Sequence, residues 1–260
     1  MCRGPARIAE MVVDLAPSQL PSTYIERYSH SIAAITLVLI TLVGFMPFYL
    51  AGKGMAGRQI APELFPLVLV HGGLMTGWVA LFLVQALLIS SRNRRLHMRL
   101  GWGAVAVALG VTISGFMVAV ESVRPAPDSP FWGMAYRQFM LIMLAEVAVF
   151  TVFVVAGVLF RKRPKTHRAM MLLATLSILA GATVRMPVLF PIFGEAGWLG
   201  IFGPVFTLGA AFLLVRALLT TSFDRWFAIG YVAMVVIYVA AATLAVSETW
   251  SQLAAAIFNV

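Results

Sequence analysis

The sequence predicts an all-α, polytopic membrane protein: a bundle of seven transmembrane helices with its N-terminus on the cytoplasmic side. Three observations carry this. Apolar residues make up 61% of the chain and charged residues 11%, with a mean hydropathy of +0.94, whereas soluble domains run near half apolar and a quarter charged. The apolar residues gather into seven stretches, each close to the ~20 residues that a helix needs to cross hydrocarbon. Lys and Arg sit in the short connections, fourteen on the side of the N-terminus and five on the other, the bias that orients membrane proteins. The net charge of +9 therefore belongs to membrane orientation, with no room for a nucleic-acid-binding domain. The partners this predicts are membrane lipid and a small-molecule ligand, in a bacterial-type inner membrane.

Residues 1–30 read as a cytoplasmic N-terminal segment, and 31–250 as the seven-helix domain. Glu10 and Asp14 interrupt the apolar run that a secretory signal would need. Ile8, Met11, Val12 and Leu15 recur at i, i+3, i+4, i+7, which is either a short interfacial helix or chance periodicity in a frayed tail. Thr23-Tyr24-Ile25-Glu26 has the form of a capping box, opening a first span over about 31–50 that Pro47 kinks at its far end. Span two covers 67–90, opened by Pro62 and Pro66 after the glycine-rich 51–61 connection, and span three covers 101–120. The run Arg124-Pro125-Ala126-Pro127-Asp128-Ser129-Pro130 is a loop ending in a Ser-Pro helix start. Spans four to seven follow at about 134–160, 169–189, 198–219 and 226–246, with Asp224 as N-cap of the last.

Ionisable residues inside the bilayer are costly and are the default functional candidates. Glu146 in span four and Arg185 in span five fall in the outer half at similar depth, where they pair with each other or serve a ligand. His71, in His71-Gly72-Gly73-Leu74-Met75-Thr76-Gly77-Trp78, belongs to the same layer, with Arg137, Gln138 and Glu121 near its rim. These polar groups in an apolar bundle mark a candidate pocket. Gln85 lies deeper on span two, placed for an interhelical hydrogen bond or a ligand. His30, His97 and His167 fall at the inner boundary, where imidazole can ligate haem iron or contact lipid phosphate. Arg94-Arg95-Leu96-His97-Met98-Arg99-Leu100 and Pro164-Lys165-Thr166-His167-Arg168-Ala169-Met170 echo one another, each a basic turn and a histidine before a span. Tryptophans near span ends suit an aromatic belt. The one cysteine, Cys2, rules out thiolate clusters within the chain. There is no phosphate-cradling loop, no Gly-x-Ser-x-Gly or His-Glu-x-x-His motif, and no lysine in span seven to carry retinal.

The His71–Trp78 segment with Gln85, followed by Leu96-His97-Met98-Arg99-Leu100-Gly101 and His167-Arg168-Ala169-Met170-Met171-Leu172, resembles a group of uncharacterised bacterial integral membrane proteins over residues 30 to 190. More loosely, it is similar to the diheme transmembrane cytochrome b proteins that pass electrons from ascorbate. That resemblance implies haem b as cofactor, held by His97 and His167 at the inner side. His71 would be a third cofactor-binding anchor, and the function a cytochrome-b-like redox one. The alternatives from the residues themselves are two. One is a non-enzymatic carrier or binding bundle for a small anionic or lipophilic molecule, using His71, Glu146 and Arg185. The other is a structural or assembly partner without a ligand.

Overall fold

The computed structural model describes residues 22–52, 60–194, 196–220 and 222–260, with side chains from residue 28 onward except at position 220. The Ile8–Leu15 stripe and the side chains of the Thr23–Glu26 box lie outside the described residues. The elements are α1 (Ser22–Ala51), α2 (Phe65–Ser90), α3 (Arg94–Glu121), a two-residue β-hairpin of β1 (Pro130–Phe131) and β2 (Met134–Ala135), and α4 (Tyr136–Leu159). Then come α5 (Pro164–Ser177), α6 (Ala180–Thr183), a 3-10 turn (Pro187–Leu189), α7 (Phe190–Phe193), α8 (Trp198–Thr220), α9 (Arg225–Ala245) and α10 (Glu248–Phe258). The chain is a multi-pass helical membrane bundle. Among the described residues six helices are long and apolar enough to cross a bilayer, and the Pro164–Thr183 and Pro187–Phe193 segments add a seventh if that bent pair is one span.

Neighbour packing arranges α1, α2, α3, α4, α9 and α8 as a ring around α5. Accordingly α5 is the most enclosed element, buried at Thr166, Ala169, Met170 and every position from Leu172 to Ser177. Its ends identify the two faces of the bundle. At one end Arg168 lies beside His30 of α1; at the other, the α6 backbone at Ala182 meets Gly44 of α1. Residues 164–183 thus traverse the bundle, and α8 returns to place Arg216 against Ser29, 3.5 Å apart. We call the end with Arg92–Arg99 and Arg161–Arg168 the basic end, and the other the hairpin end.

The fifth span is not the straight helix that its hydropathy predicts. It breaks after Ser177, and the Pro187–Phe193 segment leaves at 90°. Two causes are local. Tyr238 of α9 donates its hydroxyl to the Ser177 carbonyl at 3.0 Å, taking an acceptor that the next helical turn would use. Met186 precedes Pro187 and adopts the extended conformation (φ −91°, ψ 107°) that a following proline imposes. Arg185 therefore sits at a bend rather than on a helix.

Other boundaries also move. Asn93 caps α3 by accepting from the Leu96 amide at 3.2 Å, so the helix starts at Arg94 rather than near 101. Pro164 opens α5 five residues before the expected start. His97 and His167 consequently occupy the same place, fourth in their helices, giving the sequence echo a shared local geometry. Asp224 caps α9 as expected, 3.2 Å from the Phe227 amide. Pro130 begins a strand instead of a helix because Trp132 and Gly133, at φ 47° and 85°, make the tight turn of a β-hairpin. Helix α10 was not anticipated. Ser247 caps it, and Trp250 anchors it to α4 through the Arg137 carbonyl at 3.0 Å.

An alanine at position 44 would place its Cβ 2.3 Å from the Ala182 carbonyl oxygen, with the rest of that residue's backbone close behind. Backbone cannot turn aside as a side chain can. Gly44→Ala should destabilise the bundle by about 1–3 kcal/mol, the usual cost of overpacking, read as a lowered melting temperature in detergent.

Candidate functional site

The break in α5 leaves space. Below it, α5 packs closely against α4 and α9; above it, α6 leans onto α1 and α8. The hairpin-end half between α1, α2, α3 and α4 is therefore unfilled, and a cavity of about 790 Å³ occupies it. On α2 its lining runs from the helix start near Leu64 to Val79, and on α4 from Tyr136 to Phe150. Either span is about 20 Å at 1.5 Å per residue, so the chamber is long and narrow. The loops at Ala61 and Pro125–Trp132 border its upper part. Its lower end is closed by Val79, Phe150 and Thr175; behind them Trp78, only 3% exposed, donates its indole N–H to Thr175 Oγ1 at 3.2 Å and meets Phe150 edge-on at 5.1 Å.

Three unlike polar groups from different elements line this chamber: His71, Glu146 and Arg185. Their convergence follows from packing. Gly115 of α3 lets Val147 of α4 and His71 of α2 approach one another, since a Cβ there would meet them at 3.1 and 3.4 Å. Glu146 thus falls at the level of His71.

His71 Nδ1 lies 2.9 Å from Ser114 Oγ, and that hydroxyl also lies 2.7 Å from the Gly110 carbonyl. A carbonyl only accepts, so the single Ser114 proton points to Gly110 and His71 Nδ1–H donates to Ser114. The Nε2 atom is then left with its lone pair. Because Ser114 gives its proton to the backbone and not to His71, the two are not arranged as nucleophile and base.

Arg185 donates Nη1 to the Gly181 carbonyl and lays its guanidinium over Phe45, 4.6 Å from the ring centre. The ion pair with Glu146, one of the two arrangements the sequence leaves open, does not form: among the described residues no carboxylate comes within 4.0 Å of Arg185, and Glu146 takes no hydrogen bond. The bend carries Arg185 off the helix face that would have met α4. The rim residues are engaged with one another: Arg137 with Asp128 at 2.8 Å and Arg124 with Glu121 at 2.6 Å. Gln138 accepts from the Ala135 amide at 2.9 Å.

The other candidates lie in a second layer. His97 precedes Ser114, the partner of His71, by seventeen residues on α3, about 25 Å along the helix. No single cofactor of haem size reaches both His71 and His97. Gln85 likewise lies fourteen residues past His71 on α2 and lines no part of the chamber; Gly101 is its neighbour. Both Gln85 amide atoms and His97 Nδ1 are buried without a partner among the described residues. His97 and His167 are brought together, with ring centres 6.2 Å apart and planes at 87°. His167 Nδ1 lies 2.8 Å from the Gly157 carbonyl, so it donates there and leaves Nε2 bare. His30 contacts Ser29 at 3.2 Å at the same end. Among the described residues no three His, Cys, Asp or Glu converge as a metal site would require.

The chamber can accept a hydrogen bond at His71, bind an anion or carbonyl at Arg185, and exchange a proton at Glu146. No protein-family model, curated protein or solved structure matches the chain.

The tautomer argument is testable by nitrogen-15 NMR of histidine-labelled protein. The signals of His71 should show Nδ1 protonated and Nε2 bare. Ser114→Ala should shift that population toward the other tautomer and cost about 1 kcal/mol of stability, the net worth of one hydrogen bond.

Proposed function

We propose that the protein is a membrane-embedded binding protein or carrier. It holds a small amphiphilic molecule in the hairpin-end chamber, with the ligand's polar head at His71, Glu146 and Arg185. It sits in a bacterial-type inner membrane with its basic end toward the cytoplasm. The observation that carries this reading is that Glu146 and Arg185 line one cavity without pairing. A purely structural pair would be in contact, because separated charges in an apolar bundle are costly until something bridges them. A ligand head supplies the bridge, and the apolar walls receive its body.

Gly72 offers a clean test. It lines the chamber, and a side chain there meets only the Phe48 ring, at 3.4 Å. Gly72→Leu should narrow the chamber beside His71 while leaving the melting temperature within a few degrees of wild type. Native mass spectrometry of the two proteins, each incubated with a lipophile mixture extracted from the host membrane, should show bound mass on wild type and at least a tenfold loss on the variant. Equal binding to both would overturn the chamber reading.

A haem-based redox function is the second reading, and the His97–His167 geometry favours it. Two imidazoles on opposite sides of an iron, with metal–nitrogen distances of ~2 Å, have ring centres about 6 Å apart. A carbonyl on the far nitrogen, as at His167, is the usual support of a ligating histidine. Haem b there would be held by His97 and His167 and would supply one-electron transfer at the basic end, with His71 outside its reach. The oxidised and dithionite-reduced spectra of protein from haem-replete cells should then show a Soret band and split visible bands, lost in His167→Ala. A flat spectrum removes this reading and leaves the chamber reading intact.

A further inference from the structure

We infer that the chamber's ligand is a long-chain monocarboxylic acid, bound as its anion together with one proton taken up by the Glu146 side chain. This rests on the chamber reading above and names the chemistry of its occupant. Shape is the first support: a cavity of about 790 Å³ drawn out along α2 and α4, with walls that include Val68, Met75, Val118 and Phe139, suits an extended alkyl chain better than a broad ring system. The second is Arg185. Its guanidinium is held by Gly181 and Phe45 yet pairs with no carboxylate among the described residues, and a planar two-oxygen anion is its natural complement.

Charge balance supplies the proton. With Arg185 positive and Glu146 negative the chamber is neutral. An anion added at Arg185 would leave one uncompensated negative charge in a medium of low dielectric, which is strongly unfavourable. Protonation of Glu146 restores neutrality, and its O–H can then donate to the ligand. A phosphate monoester, carrying −1.5 to −2 charges at neutral pH, would need more protons than Glu146 can accept. The ionisable groups that face Glu146 are few. Arg185 and Tyr238 of α9 are within electrostatic reach, His71 stands across the chamber, and Tyr136 lies toward the mouth on its own helix. The charged side chains and histidines of α3 and α5 lie at the ends of those helices.

The test uses the full chain in uncharged maltoside micelles, titrated calorimetrically with decanoate and with decanol between pH 7 and pH 9.5, in buffers of different ionisation enthalpy, with empty micelles as baseline. Decanoate affinity should fall toward tenfold per pH unit at the alkaline end, with about one proton taken up per acid bound at pH 9 and above, while decanol binding stays flat. Glu146→Gln, a neutral mimic of the protonated side chain, should bind decanoate with no proton uptake and no pH slope; Arg185→Gln should lose at least tenfold in decanoate affinity. Proton uptake that persists in Glu146→Gln, or a flat profile for wild-type decanoate binding, overturns the inference. If decanol binds and decanoate does not, the acid is wrong and the chamber stands. If neither binds better to wild type than to Gly72→Leu, both fall. Should Glu146→Gln fail to fold, the wild-type profiles of acid against alcohol decide alone.

Discussion

The hydrogen bond from Tyr238 to the Ser177 carbonyl is the contact on which the rest of the bundle depends. Inside a bilayer no water is at hand to satisfy a freed backbone group, so a helix breaks there only where protein supplies the missing partner. Tyr238 is completely buried, packed against Phe202 at 4.6 Å, and its phenol is fixed where the α5 carbonyl needs it. With that acceptor satisfied from outside, the chain is free to step sideways from α5 into α6. Past Ser177 the central element passes from its packing against α4 and α9 onto α1 and α8. The chamber is the volume so vacated, and Arg185 reaches its wall because the chain turns again at Met186–Pro187.

Close packing elsewhere makes the vacancy meaningful. Below the break, Gly230 of α9 sits so near Leu173 that a Cβ would lie 2.3 Å from its Cδ1, and Gly209 of α8 is equally tight against Tyr231. A bundle able to pack at that density has no general reason to leave a void in its other half. The void coincides with the ionisable side chains of the spans' hairpin-end half. Small residues at helix contacts are the ordinary means of membrane packing; Gly72, open to the chamber, is not used that way.

Much of the architecture was legible in the sequence because it follows from hydropathy and loop charge. Six of the seven expected spans appear as continuous helices, and the layer containing His71, Glu146 and Arg185 could be read from depth along each span. What could not be read were consequences of tertiary contact. Hydropathy is blind to a break whose cause, Tyr238, lies sixty-one residues away in the chain. Without the break, Arg185 looks like a helix-borne partner for Glu146, and the ion pair is the natural expectation. The helix starts at Arg94 and Pro164 did have local signals, Asn93 as a cap and Pro164 at a first-turn position, and these placed His97 and His167 on helices before the apolar runs begin. Ser247, followed by Glu248, was an equally available signal for α10.

The two layers of polar residues are kept apart by the Trp78–Phe150–Thr175 contact, and this fixes what the chamber can do. Beneath the lowest lining residues, Val79, Phe150 and Thr175, lies an indole with its one donor satisfied and its rings enclosed, an apolar barrier between the two layers. Entry is therefore from the hairpin end, where the lining changes from helix to the loops around Ala61 and Pro125–Trp132. There Trp132 reaches over to stack on Phe190 at 6.0 Å, joining the hairpin to the segment that follows the bend. Passage of a ligand to the basic end would require Trp78 to leave Thr175 while α5 and α2 separate, a rearrangement of the most enclosed helix in the bundle. The cavity is thus closed toward the basic end and bordered by loops at the hairpin end. Carriage across the membrane would demand a second arrangement of α5, and the Tyr238–Ser177 hydrogen bond is the contact such an arrangement must first exchange.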